Sequence, residues 1–194
     1  MAGAFNQQER TAIQKNLIDA AQKYAVSVGM KHTSVDALSK EAGISKGAFY
    51  SFFQSKEALF LAMFERMHLH MYGNAEKALR EHKQLPPKVR AAKAIQEAIR
   101  VFIQHDLIAF MQEDLPILLR KLPQSVLSEH YHDDEKHIKE LLDRSSIALT
   151  TSTENACAVL RLLLLTTALQ REIGEGYSAA MDLLIQATCN QVIA

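Results

Sequence analysis

The chain has 194 residues, 48% of them hydrophobic, with only 7 glycines and 4 prolines and a formal net charge of zero. That length holds one large or two small domains around a real core, and the scarcity of chain-breaking residues favours an all-α fold with short connections. The longest apolar run, residues 160 to 169, is interrupted by Arg161, and the N-terminus lacks a signal-peptide apolar segment, so no membrane span and a cytoplasmic location are expected.

In chain order, residues 1 to 8 read as a short mobile tail. A first helix over about 8 to 28 sets Ile13, Leu17, Ala20, Ala21, Tyr24 and Val28 along one stripe, and Gly29 ends it. Thr33 or Ser34 then caps a helix to about Ala42, and Gly43-Ile44 makes a turn because glycine accepts the left-handed conformation at little steric cost. Ser45 caps the next helix, on which Ala48, Phe49, Phe52 and Phe53 share one side while Lys46, Gly47, Tyr50 and Ser51 share the other. Ser55 caps a long helix from Lys56 to about His82.

Leu85-Pro86-Pro87 breaks the chain before a helix over about 88 to 114, whose apolar stripe contains Asp106. Pro116 and Pro123 bracket a short apolar helix, a further helix is expected over about 133 to 149, and Thr151-x-x-Glu154 reads as a capping box for a helix reaching about Glu172. Gly174 and Gly176 precede a last helix over about 178 to 192.

The free face of the segment after Ser45 suits a duplex surface. Lys46, Tyr50, Lys56 and capped helix ends can meet phosphate oxygens, and Gly47 lets backbone approach a base edge. Charge leans the same way: residues 1 to 56 carry seven Lys/Arg against four Asp/Glu, +3, leaving −3 for the remainder. The DNA-facing set expected here is Thr33, Ser34, Ser45, Lys46, Gly47, Ala48, Tyr50, Ser51, Phe52 and Lys56.

From about Leu17 to Leu59 the chain resembles the TetR family of transcriptional regulators. The resemblance runs through Leu17-Ile18-Asp19-Ala20-Ala21, Gly29, Ser34-Val35, Ala42 to Tyr50, Phe53 and Ser55-Lys56-Glu57. Departures are Ala25 for a large aromatic, Leu38-Ser39 for isoleucine-alanine, and Phe52 where a more polar residue is common. The resemblance implies an N-terminal three-helix helix-turn-helix DNA-binding domain over residues 1–55, motif about 34–53. A larger C-terminal helical ligand-binding and dimerisation domain would occupy 56–194.

Two later features bear on that domain. The last two long helices are apolar on more than one face, so a second covering surface is expected, and a homodimer is read through Leu160, Leu164, Met181, Leu184, Ile185 and Thr188. Two reading helices held about 34–36 Å apart would meet successive major grooves, which makes the expected operator palindromic. The resemblance further implies a small-molecule effector that changes the separation of the reading heads. Candidate lining residues are Met67, His70, Met71, Phe102, His105, Asp106, Phe110, Met111 and Thr166, because methionines and aromatics line adaptable pockets and a few inward polar groups orient a ligand.

Cys157 and Cys189 sit in apolar helical contexts and read as buried reduced thiols. His68-x-His70 and His130-x-His132 place their rings on different helix faces, so neither a metal site nor a cofactor is expected. No nucleophile-base spacing or glycine-rich phosphate loop stands out, which argues against an enzyme. The reading is thus a dimeric, ligand-released repressor. The alternatives are a helical small-molecule binding protein without DNA-binding activity and a ligand-independent regulator.

Overall fold

The computed structural model describes residues 5–194. Ten α-helices account for most of the described residues: α1 Gln7–Ser27, α2 Val35–Glu41, α3 Lys46–Phe49, α4 Lys56–Glu81, α5 Pro87–Gln104, α6 Leu115–Lys121, α7 Gln124–Arg144, α8 Thr153–Leu165, α9 Gln170–Ile173 and α10 Tyr177–Val192. A widened π-turn, Phe110–Asp114, leads into α6, and short 3₁₀ turns, Thr166–Leu169 and Gly174–Gly176, flank α9.

Local chemistry sets these boundaries. Asn6 and Glu9 form a reciprocal capping box at the start of α1, satisfying two otherwise free N–H groups. The expected tail over residues 1 to 8 therefore does not hold from Phe5 onward, where Phe5 packs on Phe52; residues 1 to 4 lie outside the described residues. Ser34, Ser45 and Ser55 each accept from the backbone N–H three residues on. The turn between α2 and α3 closes through Gly43, at φ +74°, and an Ile44 N–H that donates to the Ser39 carbonyl.

Several expected elements are shorter or shifted. The helix foreseen over 88 to 114 stops at Gln104, and His105-Asp106-Leu107 forms a corner with Asp106 at φ +54°. Asp106 is exposed there and does not lie on an apolar stripe. The helix foreseen from 133 begins at Gln124, directly after Pro123. The cap foreseen at Thr151 is displaced by one residue and is one-sided: Ser152 accepts from Asn155 N–H. That helix ends at Leu165, because Thr166 and Thr167 turn their hydroxyls back onto the Leu163 and Leu164 carbonyls at the start of a 3₁₀ turn.

Two buried clusters lie along α4, which at about 1.5 Å per residue is roughly 39 Å long. The first joins Leu17, Leu38, Phe49, Leu59 and Phe60 to Phe102, Phe110, Met111 and Leu118 without interruption. The second gathers Leu79, Ala91, Ile99, Leu163, Met181, Ile185 and Ile193 near the far end. The C-terminus is fastened by Thr150 N–H to the Val192 carbonyl and Ala194 N–H to the Ala148 carbonyl, both 2.9 Å.

Candidate nucleic-acid interface and interior cavity

The helix-turn-helix presents the expected polar face. Phe49 and Phe53 are buried and anchor α3 and its following turn, while Lys46, Gly47, Tyr50 and Ser51 are exposed, Tyr50 at 54%. A Cβ built on Gly47 would meet only Ser45 Oγ, at 3.9 Å, so this backbone is open to close approach. Ser34 and Ser45 are capping oxygens, and Ala48 is half-buried.

Other members of the expected set are engaged inside the domain. Thr33 is buried, and its hydroxyl donates to the Gly29 carbonyl at 2.6 Å. The Lys56 ammonium donates to the Met30 and Thr33 carbonyls at 2.7 and 2.8 Å. It ties the start of α4 to the loop before α2. Phe52 is half-buried beneath the Arg10 guanidinium, 4.7 Å from the ring centroid, and Arg10 also donates to the Ser51 carbonyl at 3.0 Å. Arg10 was not among the expected DNA-facing residues, since only the fold brings α1 beside the end of α3. Lys46 pairs with Asp36 at 2.8 Å on the exposed surface. That hydrogen bond and charge raise the lysine pKa above its ordinary value, so it stays cationic.

A buried carboxylate adds a further link between this head and the rest of the protein. Asp114, buried at the end of the π-turn, accepts from Met30 N–H at 2.5 Å and Lys31 N–H at 3.2 Å. Gly29 sits at φ +80°, and a Cβ there would come 2.9 Å from Asp114 Oδ2. Glycine is therefore required twice, by conformation and by space.

A cavity of about 150 Å³ lies between the far half of α4, α5, α7, α8 and α10. Of the nine lining residues expected, only Met71 faces it. Met67, Phe102, Phe110 and Met111 are buried in the first cluster, where Phe60 stacks on Phe110 at 6.2 Å and Phe64 lies tilted against Phe102 at 6.0 Å. His70 and Asp106 are exposed, His105 faces Gln22, and Thr166 bonds the Leu163 carbonyl. The physical reason is size. Large side chains fill space, whereas Ala75, Ala91, Ala94, Ala98 and Ala156 leave it open. Alanines at 91, 94 and 98, on one face of α5, are the signal that could have located the void.

The cavity has one polar end, formed by His68, Tyr72, Asp134, Cys157 and Arg161. The Tyr72 hydroxyl donates to Asp134 Oδ1 at 2.5 Å, and His68 Nδ1 lies 3.1 Å from the same oxygen. Burial pushes the Asp134 pKa up, but its His68 and Tyr72 hydrogen bonds outweigh that and hold it below the usual range. Burial, with His68 adjacent, lowers the His130 pKa. Burial pushes both thiols up to about 11, so neither cysteine is a thiolate at neutral pH. His68, His130 and Asp134 nevertheless bring ligand-capable atoms within 4.8 Å of one another. The fold thus groups His130 with His68 and Asp134, and not the His68-x-His70 or His130-x-His132 pairs. The signal missed was His130-x-x-x-Asp134, which shares a helix face, unlike His130-x-His132.

The expected dimer residues divide. Leu164, Met181 and Ile185 are buried within the protomer, Leu160 lines the cavity, Thr188 is half-buried, and Leu184 is exposed. From α8 to α10 the exposed large apolar side chains are Leu162, Leu165, Leu169 and Ile173 with Leu183 and Leu184; Leu162 and Leu183 are 64% and 68% exposed.

Among the described residues, no helix is long and apolar enough to cross a membrane. Residues 17–63 match the model of bacterial regulatory proteins of the tetR family. The HTH-type transcriptional regulator YhgD of Bacillus subtilis is 29% identical over 122 residues, a match covering 59% of this chain and 63% of that protein. The chain thus spans less than two thirds of that relative's length. A TetR-family transcription regulator from Shewanella sp. PV-4 shares the fold at TM-score 0.65 and 19% identity, over 94% of this chain and 98% of that one. FadR from Bacillus subtilis, solved with stearoyl-CoA, does so at TM-score 0.61 and 18% identity, over 90% of this chain and 97% of that one. Residues 17–63 thus carry the tetR-family match, and the chain as a whole shares the fold of solved TetR-family regulators.

Proposed function

We propose that the protein is a dimeric transcriptional regulator that binds a palindromic DNA operator through residues 1–55. In this reading residues 56–194 dimerise and respond to a small molecule. The observation that carries it is the exposed face of Lys46, Gly47, Tyr50 and Ser51, set on α3 and its following turn, whose other face is anchored by Phe49 and Phe53. A cation, a bare backbone and two hydroxyls can engage phosphate and base edge together.

Dimerisation uses the outward row of Leu162, Leu165 and Leu169 with Leu183 and Leu184, a contiguous kind of apolar exposure that solvent disfavours. The effector occupies the alanine-lined cavity. At about 150 Å³ the cavity fits a ring-sized molecule as it stands; a long acyl chain such as that in the FadR complex requires it to open. Effector binding favours a conformer with misplaced heads, and a tenfold loss of DNA affinity needs only about 1.4 kcal/mol of differential binding.

The test is titration of duplex probes across a salt series. Phosphate contacts release counterions, so affinity falls steeply as salt rises, and Lys46→Ala reduces the slope by about one. A salt-independent or absent interaction contradicts the reading.

A further inference from the structure

The geometry points to a divalent transition-metal site of the zinc class formed by His68 on α4 and by His130 and Asp134 on α7. We propose that it holds one ion per chain. It stands on side-chain placement alone and does not depend on DNA binding.

His68 Nδ1 lies 3.1 Å from Asp134 Oδ1, and His130 Nε2 lies 3.8 Å from Asp134 Oδ2. Zinc bonds nitrogen and carboxylate oxygen at about 2.0–2.2 Å, so tetrahedral ligands stand roughly 3.3 Å apart. These two separations, to the two oxygens of Asp134, lie near that edge, all three ligand atoms fall within 4.8 Å of one another, and side-chain movement that draws them together would admit an ion. Two imidazoles and one carboxylate are a donor set of borderline softness, suited to Zn²⁺ or Co²⁺ rather than to Mg²⁺ or Ca²⁺.

The surroundings support a ligating role. All three residues are buried, where polar groups without full partners are costly. Among the described residues the His130 ring has only carboxylate oxygens near it, at 3.8 and 3.9 Å, from Asp134 and Glu65, so a cation between the rings would complete its polar contacts. Tyr72 already donates to Asp134 Oδ1 at 2.5 Å, the orienting contact that metal-bound carboxylates characteristically receive. His68 and Asp134 also face the cavity, whereas His130 is not among its lining residues. Three protein ligands would thus leave a coordination position toward the void.

The test uses the full, untagged chain, stripped by a chelator and titrated with Co²⁺ and then Zn²⁺. The expected result is one Co²⁺ per chain, with visible absorption of a nitrogen- and oxygen-ligated ion, displaced by Zn²⁺. His130→Gln should weaken binding at least 100-fold with the fold intact by circular dichroism. Tyr72→Phe, which keeps all three ligands, should weaken it 10- to 100-fold. Failure of the parent to take up stoichiometric Co²⁺ overturns the proposal whether or not any variant folds. So does a sulfur-to-cobalt charge-transfer band, which would assign the ion to Cys157 or Cys189. Parent-like affinity in a folded His130→Gln does the same. Should that variant not fold, parent-like affinity in Tyr72→Phe overturns the site.

Discussion

Lys46 is held by Asp36 at 2.8 Å, yet both side chains are more than half exposed. Exposed pairs of this kind are screened by water and contribute little, so the lysine can exchange its carboxylate for a phosphate. Asp36→Asn should therefore tighten operator binding by about two- to threefold in a direct titration, whereas Lys46→Ala and Tyr50→Phe should weaken it on every sequence tested. Gly47→Leu should abolish sequence-specific binding with an unchanged melting temperature, since space around that Cβ is open. At Gly29 the reverse holds. An alanine must adopt φ near +80° and meet Asp114 Oδ2 at 2.9 Å, so Gly29→Ala should lower stability by about 1–2 kcal/mol in denaturant unfolding.

At the scale of elements, α4 connects the two buried clusters, and its first residue is fastened to the reading head. Lys56 accounts for that fastening through the Met30 and Thr33 carbonyls, and Asp114 adds a second through Met30 and Lys31 N–H. Movement of α4 or of the π-turn must therefore carry the loop before α2 with it. Asp114→Ala leaves the buried Met30 N–H without its acceptor, and should cost about 2–3 kcal/mol. Faster hydrogen exchange confined first to residues 29–31 would identify the latch as the cause.

The helices themselves were legible because caps and glycines are local: Ser34, Ser45 and Ser55 declare themselves within three residues, whereas the Asn6 box falls in the stretch read as a tail. The lining of the cavity was not. Phe102 and Phe110 look like pocket residues in sequence, and only packing reveals that they fill the space while the alanines of α5 leave it. Likewise Lys56 reads as a phosphate ligand until the fold brings two carbonyls to it, and Arg10 gains its place over Phe52 only through contact between α1 and the end of α3.

For the whole molecule, the two faces of α10 have separate duties. Met181 and Ile185 face the protomer core, and Leu183 and Leu184 face outward. Leu183→Glu should therefore yield a folded monomer by sedimentation, while Met181→Glu should unfold the protomer. A monomer carries one reading helix and should bind a full operator far more weakly, because the second contact is no longer intramolecular. The central claim, a paired reader of DNA, is tested most directly by selecting binding sites from a random duplex pool with the parent protein. The account predicts enrichment of a palindrome whose half-sites lie about one helical turn apart, or a multiple of it. Recovery of no enriched sequence, or of a single unpaired half-site, would contradict it.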